Sequence, residues 1–180
     1  GYDYVNGDAD PMDDNGHGTH VAGIITAKPN NKIGLAGASR ATVVAVKVLG
    51  AQGWGTSYDI AMGISYCANR SDVKVLSMSL GGPYSEVEDY IIDYAVNTKG
   101  KLLVAAAGND DTDDETYAYP AALSEYYPGK ILSVAASGSW EYVDEDEDGN
   151  WDYYILGDYG CKAEYSNYGD WVNVIAPGTD

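Results

Sequence analysis

Apolar positions along the chain fall into two alternating kinds of stretch. Ala41–Leu49 ("ATVVAVKVL") is an almost unbroken apolar, β-branched run, the pattern of a strand buried on both faces. Val73–Leu80 is a second such run, closed by Gly81-Gly82-Pro83. Lys101–Gly108 is a third, and Ile131–Ser137 and Trp171–Pro177 add two more. Between them the period changes. Ser57–Asn69 repeats apolar residues at Ile60, Ile64 and Cys67, which predicts a helix with Ser57 as its cap. Ser85–Gly100 carries acids early, Lys99 late and Gly100 as terminator, which predicts another.

Strand–helix–strand alternation predicts right-handed crossovers and an α/β fold: a mostly parallel sheet with helices on both faces. The 180 residues suit a single domain. Ligands on such sheets bind beyond the carboxyl ends of the strands, so the loops after Leu49, Leu80 and Ala107 are where chemistry is expected. One stretch breaks the rhythm. Residues 141–160 ("EYVDEDEDGNWDYYILGDYG") are acidic and aromatic, and read as a surface insertion.

Before the first strand run lies Asp13–Ala27, "DDNGHGTHVAGIITA", where a glycine-rich turn carrying both histidines of the chain, His17 and His20, leads into an apolar run. A helix is expected to start here, with Asn15 as its cap. A helix N-terminus presents unpaired N–H groups and partial positive charge. A histidine there is held at a fixed angle and disfavoured as imidazolium until a carboxylate compensates it, which suits a general base. The small neighbours Gly16, Gly18 and Thr19 leave room for a substrate chain.

Charge narrows the partners. The formal net charge of −18 repels nucleic acid and anionic membrane, and suits metal cations or plain solubility. No apolar run reaches the ~18 residues of a membrane span. The chain starts at Gly1 without Met or a basic stretch, which reads as a mature or excised piece. Cys67 and Cys161 do not make a disulfide framework, and pairing and free thiols stay equally open.

The string "HGTHVAG" (17–23) closely resembles the histidine motif of the subtilisin-like serine proteases, the subtilases. The likeness extends along nearly the whole chain. "AVKVLGAQGWG" resembles the family's substrate-pairing edge segment, "SMSLGGP" the opposite wall of the cleft, and "VAAAGND" the strand end that delivers an oxyanion-hole asparagine. "YSNYG" and "VIAPGTD" resemble the approach to the nucleophile. The resemblance implies that His17 is the general base, that His20 is a buried structural residue, and that Asn109 stabilises the oxyanion. Taken alone, Asn109-Asp110 is also an ordinary turn pair. It further implies that a peptide lies as a strand between Gly53-Trp54-Gly55 and Ser79-Leu80-Gly81, and that Gly108 and Ala118 belong to the primary specificity pocket, with Ala118 at its floor. The family's "Asp-Ser/Thr-Gly" motif, expected before the histidine, and its "Gly-Thr-Ser" motif, expected after "APG", are not in this chain. The 180 residues alone are therefore expected to be inactive.

Three stretches are rich in oxygen donors. "GYDYVNGDADPMDD" packs Asp3, Asn6, Asp8 and Asp10 at spacings that suit Ca²⁺ or a polar turn. It also resembles a subtilase calcium loop, which implies carboxylates from Asp3, Asp8 and Asp10 and the carbonyl of Met12. "KPNNKIGL" resembles the family's tighter calcium loop, which implies the side chain of Asn31. "DEDEDGNWD" spells the first half of an EF-hand-type loop with Asp144, Asp146 and Asp148, but Ile155 stands where its closing Glu belongs. It reads as a third calcium site or a solvated acidic loop.

The expected parent is a secreted, calcium-stabilised serine endopeptidase acting on peptides or proteins through an acyl-enzyme. Its other partners would be a propeptide or the remainder of the domain. The alternative is a non-catalytic, calcium-stabilised module of the same ancestry.

Overall fold

The computed structural model describes residues 1–138 and 162–178, with the backbone pairing of 142–143 and 152–153. The chain packs as two units, Gly1–Lys74 with Ser85–Lys101, and Val75–Tyr84 with Leu102–Asp180.

The first unit pairs two short parallel strands, β1 (Tyr2–Asp3) and β2 (Val46–Lys47), and carries three helices, α1 (His17–Thr26), α2 (Ser57–Asn69) and α3 (Glu86–Asp93). The run Ala41–Leu49 thus forms far less strand than its apolar pattern predicts. Its partner β1 offers only two residues of ladder, and Val43 stays exposed. Helix α2 has the predicted bounds, but its cap is Thr56, whose Oγ1 accepts from Asp59 N–H at 3.1 Å. Ser57 is already helical, and its hydroxyl instead bonds the Glu88 carboxylate of α3. Ser85 caps α3, a π-helical turn over Tyr94–Thr98 follows, and Gly100 at φ 64° ends the run. Ala61, Ile64 and Ala68 of α2 and Ile92, Ala95 and Val96 are the buried apolar set of this unit's helices. Gly63 lets α2 lie close to β2, since a Cβ there would fall 2.5 Å from a Val48 methyl. The buried Lys101 donates to the carbonyls of Arg70 (2.7 Å), the residue that ends α2, and of Val73 (2.6 Å) in the connection that follows. Cys67 is a free, half-buried thiol whose pKa burial pushes up; Cys161 lies outside the described residues.

The second unit is a parallel sheet of β3 (Val75–Met78), β4 (Leu102–Ala106), β5 (Ile131–Ser137) and β8 (Val174–Pro177), in that order; β6 (Tyr142–Val143) and β7 (Asp152–Tyr153) pair separately and antiparallel. Alternate residues Leu76, Met78, Leu103, Ala105, Ile131, Ser133 and Ala135 are buried. The 3₁₀ turn Ala121–Glu125 packs on β5. The expectation of burial on both faces holds only in part, because Val75, opposite Leu102 in the register, is 51% exposed. The last strand begins at Val174 rather than Trp171. The Trp171 side chain is buried, and its carbonyl takes the Ser124 hydroxyl at 2.6 Å instead of a ladder bond. Parallel strands with helices make the chain α/β, as its periodicity predicts.

Candidate active site

In the first unit, α1 starts at His17. The residue before it, Gly16, has φ 100° and no capping side chain. The helix start is held by Asp13. Its Oδ1 accepts from Asn15 N–H (3.0 Å) and Gly16 N–H (2.9 Å), and its Oδ2 from Thr19 N–H (2.8 Å) and Thr19 Oγ1 (2.7 Å). The Thr19 hydroxyl and these N–H groups hold the Asp13 carboxyl far below the usual carboxylate range. Asn15, the expected cap, accepts from His17 N–H only at 3.3 Å, and its amide donates to Ala51 O at 2.8 Å. The buried Lys47 ammonium pairs with Asp14 (3.2 Å) and donates to Leu49 O (2.6 Å). The histidine turn is thereby tied to the loop that follows β2.

That loop contains Gly53, Trp54 and Gly55. Gly53 N–H and Trp54 O both bond Gly50, and Trp54 is 82% exposed. A Cβ on Gly55 would lie 2.1 Å from Val48 O, so only glycine fits. His17 is exposed. His20 is exposed too, against the expectation of a buried residue, because no residue of α1 is buried among those described.

In the second unit, the carboxyl ends of β3 and β4 open onto a cavity of about 100 Å³. Ser79, Leu80, Gly81, Gly108, Asn109 and Ala118 line it, six positions singled out from the sequence. Ala106, Ala107 and Tyr117 complete the lining and were not among them. Its two sides are stitched by Gly82 N–H to Tyr119 O (3.0 Å) and Tyr119 N–H to Gly82 O (3.1 Å). Ala118 is buried while Asn109 is exposed at the end of β4, after Gly108 at φ 108°. The space admits one side chain rather than a ligand of hundreds of Å³. Acids follow on the same loop. Asp110, Asp111, Asp113, Asp114 and Glu115 succeed Asn109, and hydrogen bonds from Thr116 lower the Asp114 pKa.

The oxygen-rich N-terminus is built as turns. Burial raises the Asp3 pKa, but bonds from Asn6 N–H (2.9 Å), the Asn6 amide (2.9 Å) and Val5 N–H (2.8 Å), with the Lys47 charge, outweigh it and leave the pKa lowered. Asp8 Oδ1 accepts from Asp10 N–H (2.9 Å), while Asp10 and Met12 are exposed. Among the described residues no three Asp, Glu, His or Cys side chains gather as a metal-ligand set. Asp3, Asp8 and Asp10 therefore do not form a three-carboxylate cage as placed, since Asp3 is committed to its own turn. Asn31 Oδ1 accepts from Ile33 N–H (2.9 Å) in an exposed loop where Asn30, Lys32 and Gly34 all have positive φ. Asp144, Asp146 and Asp148 lie outside the described residues.

Two structural residues of the site were not singled out from the sequence. Asp13 had a local signal, an acid six positions before a threonine in a glycine turn. Asn167 had none within its own stretch. It is nearly fully buried, and it bonds the loop that carries Asn109.

Comparison with known proteins gives the family of the chain. The model of the subtilase family matches residues 1–180. The chain is 40% identical to a thermophilic serine proteinase of Bacillus sp. (strain AK1), over 100% of this chain and 38% of that protein. It is 39% identical to thermitase of Thermoactinomyces vulgaris, over 99% of this chain and 55% of the relative. A crystal structure of a cold adapted subtilisin-like serine proteinase superposes with a TM-score of 0.75 at 31% identity, over 99% of this chain and 54% of that one. The chain thus spans about half or less of the length of these relatives.

Proposed function

Because the chain belongs to the subtilase family, we propose that the complete protein is a serine endopeptidase, and that these residues are part of its single catalytic domain. His17 takes the proton of a serine hydroxyl supplied from outside this chain as that oxygen attacks the substrate carbonyl. Asn109 donates its amide to the oxyanion that forms. His17 then protonates the leaving amine, and water repeats the cycle on the acyl-enzyme. The family's aspartate, also outside this chain, would orient the imidazole. The observation that carries the reading is the cavity at the ends of β3 and β4, which gathers Asn109, Gly108, Ala118 and Ser79–Gly81.

The substrate is a peptide or protein. Main-chain pairing with 53–55 and with 79–81 would hold it as a strand, and the cavity over Ala118 would take the side chain before the cut. The small Ala118 favours a large apolar or aromatic residue there, and the acids at 110–115 disfavour Asp or Glu. No described helix is long and apolar enough to cross a membrane. An extracellular setting and structural calcium enter through the family resemblance. For calcium the donors on offer in the N-terminal loop are the side chains of Asp8 and Asp10 and the Met12 carbonyl, with Asp3 only if its turn opens, and in the separate loop 28–35 the side chain of Asn31.

The test is turnover of an activated peptide ester and labelling by a fluorophosphonate probe, using the complete protein. Turnover should fall about 10³-fold or more in His17→Ala, with the circular dichroism unchanged. Undiminished turnover in that variant would remove His17 as the base. A wild type without turnover or labelling would leave a non-catalytic module.

A further inference from the structure

We propose that Asn167 is a positioning residue for the oxyanion-stabilising loop. It would hold residues 107–112 so that Asn109 stays where negative charge develops. The inference rests on the role proposed above for Asn109.

Every polar group of the Asn167 side chain is aimed at that loop. Its Oδ1 accepts from Asp110 N–H at 2.7 Å and from Thr112 N–H at 3.4 Å, and its Nδ2 donates to Ala107 O at 3.1 Å. Its own N–H donates to Gly108 O at 3.0 Å. These bonds grip the main chain on both sides of Asn109 and leave Asn109 exposed at the cavity. The fit is tight, for a Cβ on Gly108 would lie 2.4 Å from Asn167 Nδ2.

The grip has a rigid base. Asn167 is 2% exposed. Its neighbour Ser166 accepts from Ala136 N–H at 2.9 Å, and Ala163 N–H donates to Ala136 O at 2.9 Å, so the segment is anchored at the end of β5. Asp111 N–H to Tyr165 O and Tyr168 N–H to Thr112 O, both 3.0 Å, extend the contact. A loop fixed in this way keeps an amide pre-aimed at a developing charge without reorganisation during reaction, and displacement of about 1 Å costs up to about 10²-fold in rate.

A merely structural asparagine would lower stability and affect catalysis alike whether or not Asn109 is present, which a double-mutant cycle in the complete protein separates. Asn109→Ala should reduce kcat about 10²–10³-fold, a magnitude that comes from subtilisin, a member of the same family. Asn167→Ala should reduce kcat about tenfold or more, with a smaller rise in KM. In the Asn109→Ala background the same change should reduce kcat by less than about twofold, because the group it positions is gone. Asn167→Asp sets a buried carboxylate oxygen against Ala107 O, so its loss of kcat should be no smaller than that of Asn167→Ala; Asn167→Ser, which removes the amide without adding charge, carries the same cycle if Asn167→Ala does not fold. An equal loss in both backgrounds overturns the proposal. An Asn109→Ala variant with wild-type kcat instead overturns the reading of Asn109 on which it rests.

Discussion

The turn that carries His17 and the loop that carries Asn109 solve the same problem by opposite means. Each places one exposed side chain after a glycine of positive φ, Gly16 at 100° and Gly108 at 108°. The start of α1 is knotted by its own neighbours, since the Asp13 carboxylate reaches no farther than Thr19, while only the flanking Asp14 and Asn15 reach out, to Lys47 and Ala51. The asparagine loop is held by an amide more than fifty positions away, Asn167, which is itself buried and fixed to β5. A charged local knot stays in contact with water, and its donors have an alternative in solvent when it opens. A neutral clamp in the interior has no such alternative, and leaving its partners unmade costs the full desolvation of each group.

Alanine at the two glycines gives the largest expected contrast. At Gly16 a Cβ meets nothing within 4 Å, so Gly16→Ala should cost only the backbone strain of positive φ, about 1–2 kcal/mol. At Gly108 the same strain is joined by the clash with Asn167 Nδ2, and the loss should reach about 3 kcal/mol or more. Denaturant melts of the two variants of the complete protein check this. Equal losses would mean that the 107–112 loop yields as easily as the histidine turn.

The same contrast explains what could be read from the sequence. The bounds of helix α2 were legible because its spacing and its end are local matters, although its cap is Thr56 and not Ser57. The strands β3, β4 and β5 were legible as apolar runs whose ends mark the loops of the cavity, whereas the cavity residues themselves, Ala118 above all, followed from the resemblance to the subtilases. The first strand was misjudged because strand length depends on the partner, and β1 supplies only two residues. His20 was misjudged because burial depends on what covers a helix, and nothing among the described residues buries α1. Asn167 could not be found from spacing, because its partners meet it only through the parallel register that brings β4 beside β5.

Asp3 is a second local carboxylate knot, and it separates turn-building from metal binding. If its oxygens serve Val5 and Asn6 as placed, Asp3→Ala should cost about 2 kcal/mol, and equally in calcium and in chelator. If calcium recruits Asp3, the loss should appear mainly with calcium present, as mass action on the native state requires. Thermal melts of wild type and variant in both conditions decide. The placed geometry predicts parallel shifts.

The smallest effect, and the sharpest, is how the two anchors respond to acid. Hydrogen bonds from Thr19, Gly16 and Asn15 depress the Asp13 pKa. A depressed carboxylate contributes stability that is present above its unfolded value, near 3.8, and is lost as pH falls through the folded value. Between about pH 4 and pH 2 the histidine turn should therefore loosen progressively, while the Asn167 amide has no proton to gain. Global melting is a poor probe of this, because Glu88 works in the opposite direction. Burial raises its pKa, so its contribution is intact below about 4.5 and declines as pH rises through the folded value. Amide hydrogen exchange resolves the positions. After correction for intrinsic rates, protection at Gly16 and Thr19 should fall toward pH 2 before the global transition, and protection at Asp110 should hold until that transition. Asp13→Asn supplies the control: it should lower protection at Thr19 at neutral pH and make it insensitive to acid. If Asp110 lost protection together with Thr19, the two loops would open as one unit, and the division between a charged local knot and a neutral distant clamp would fail.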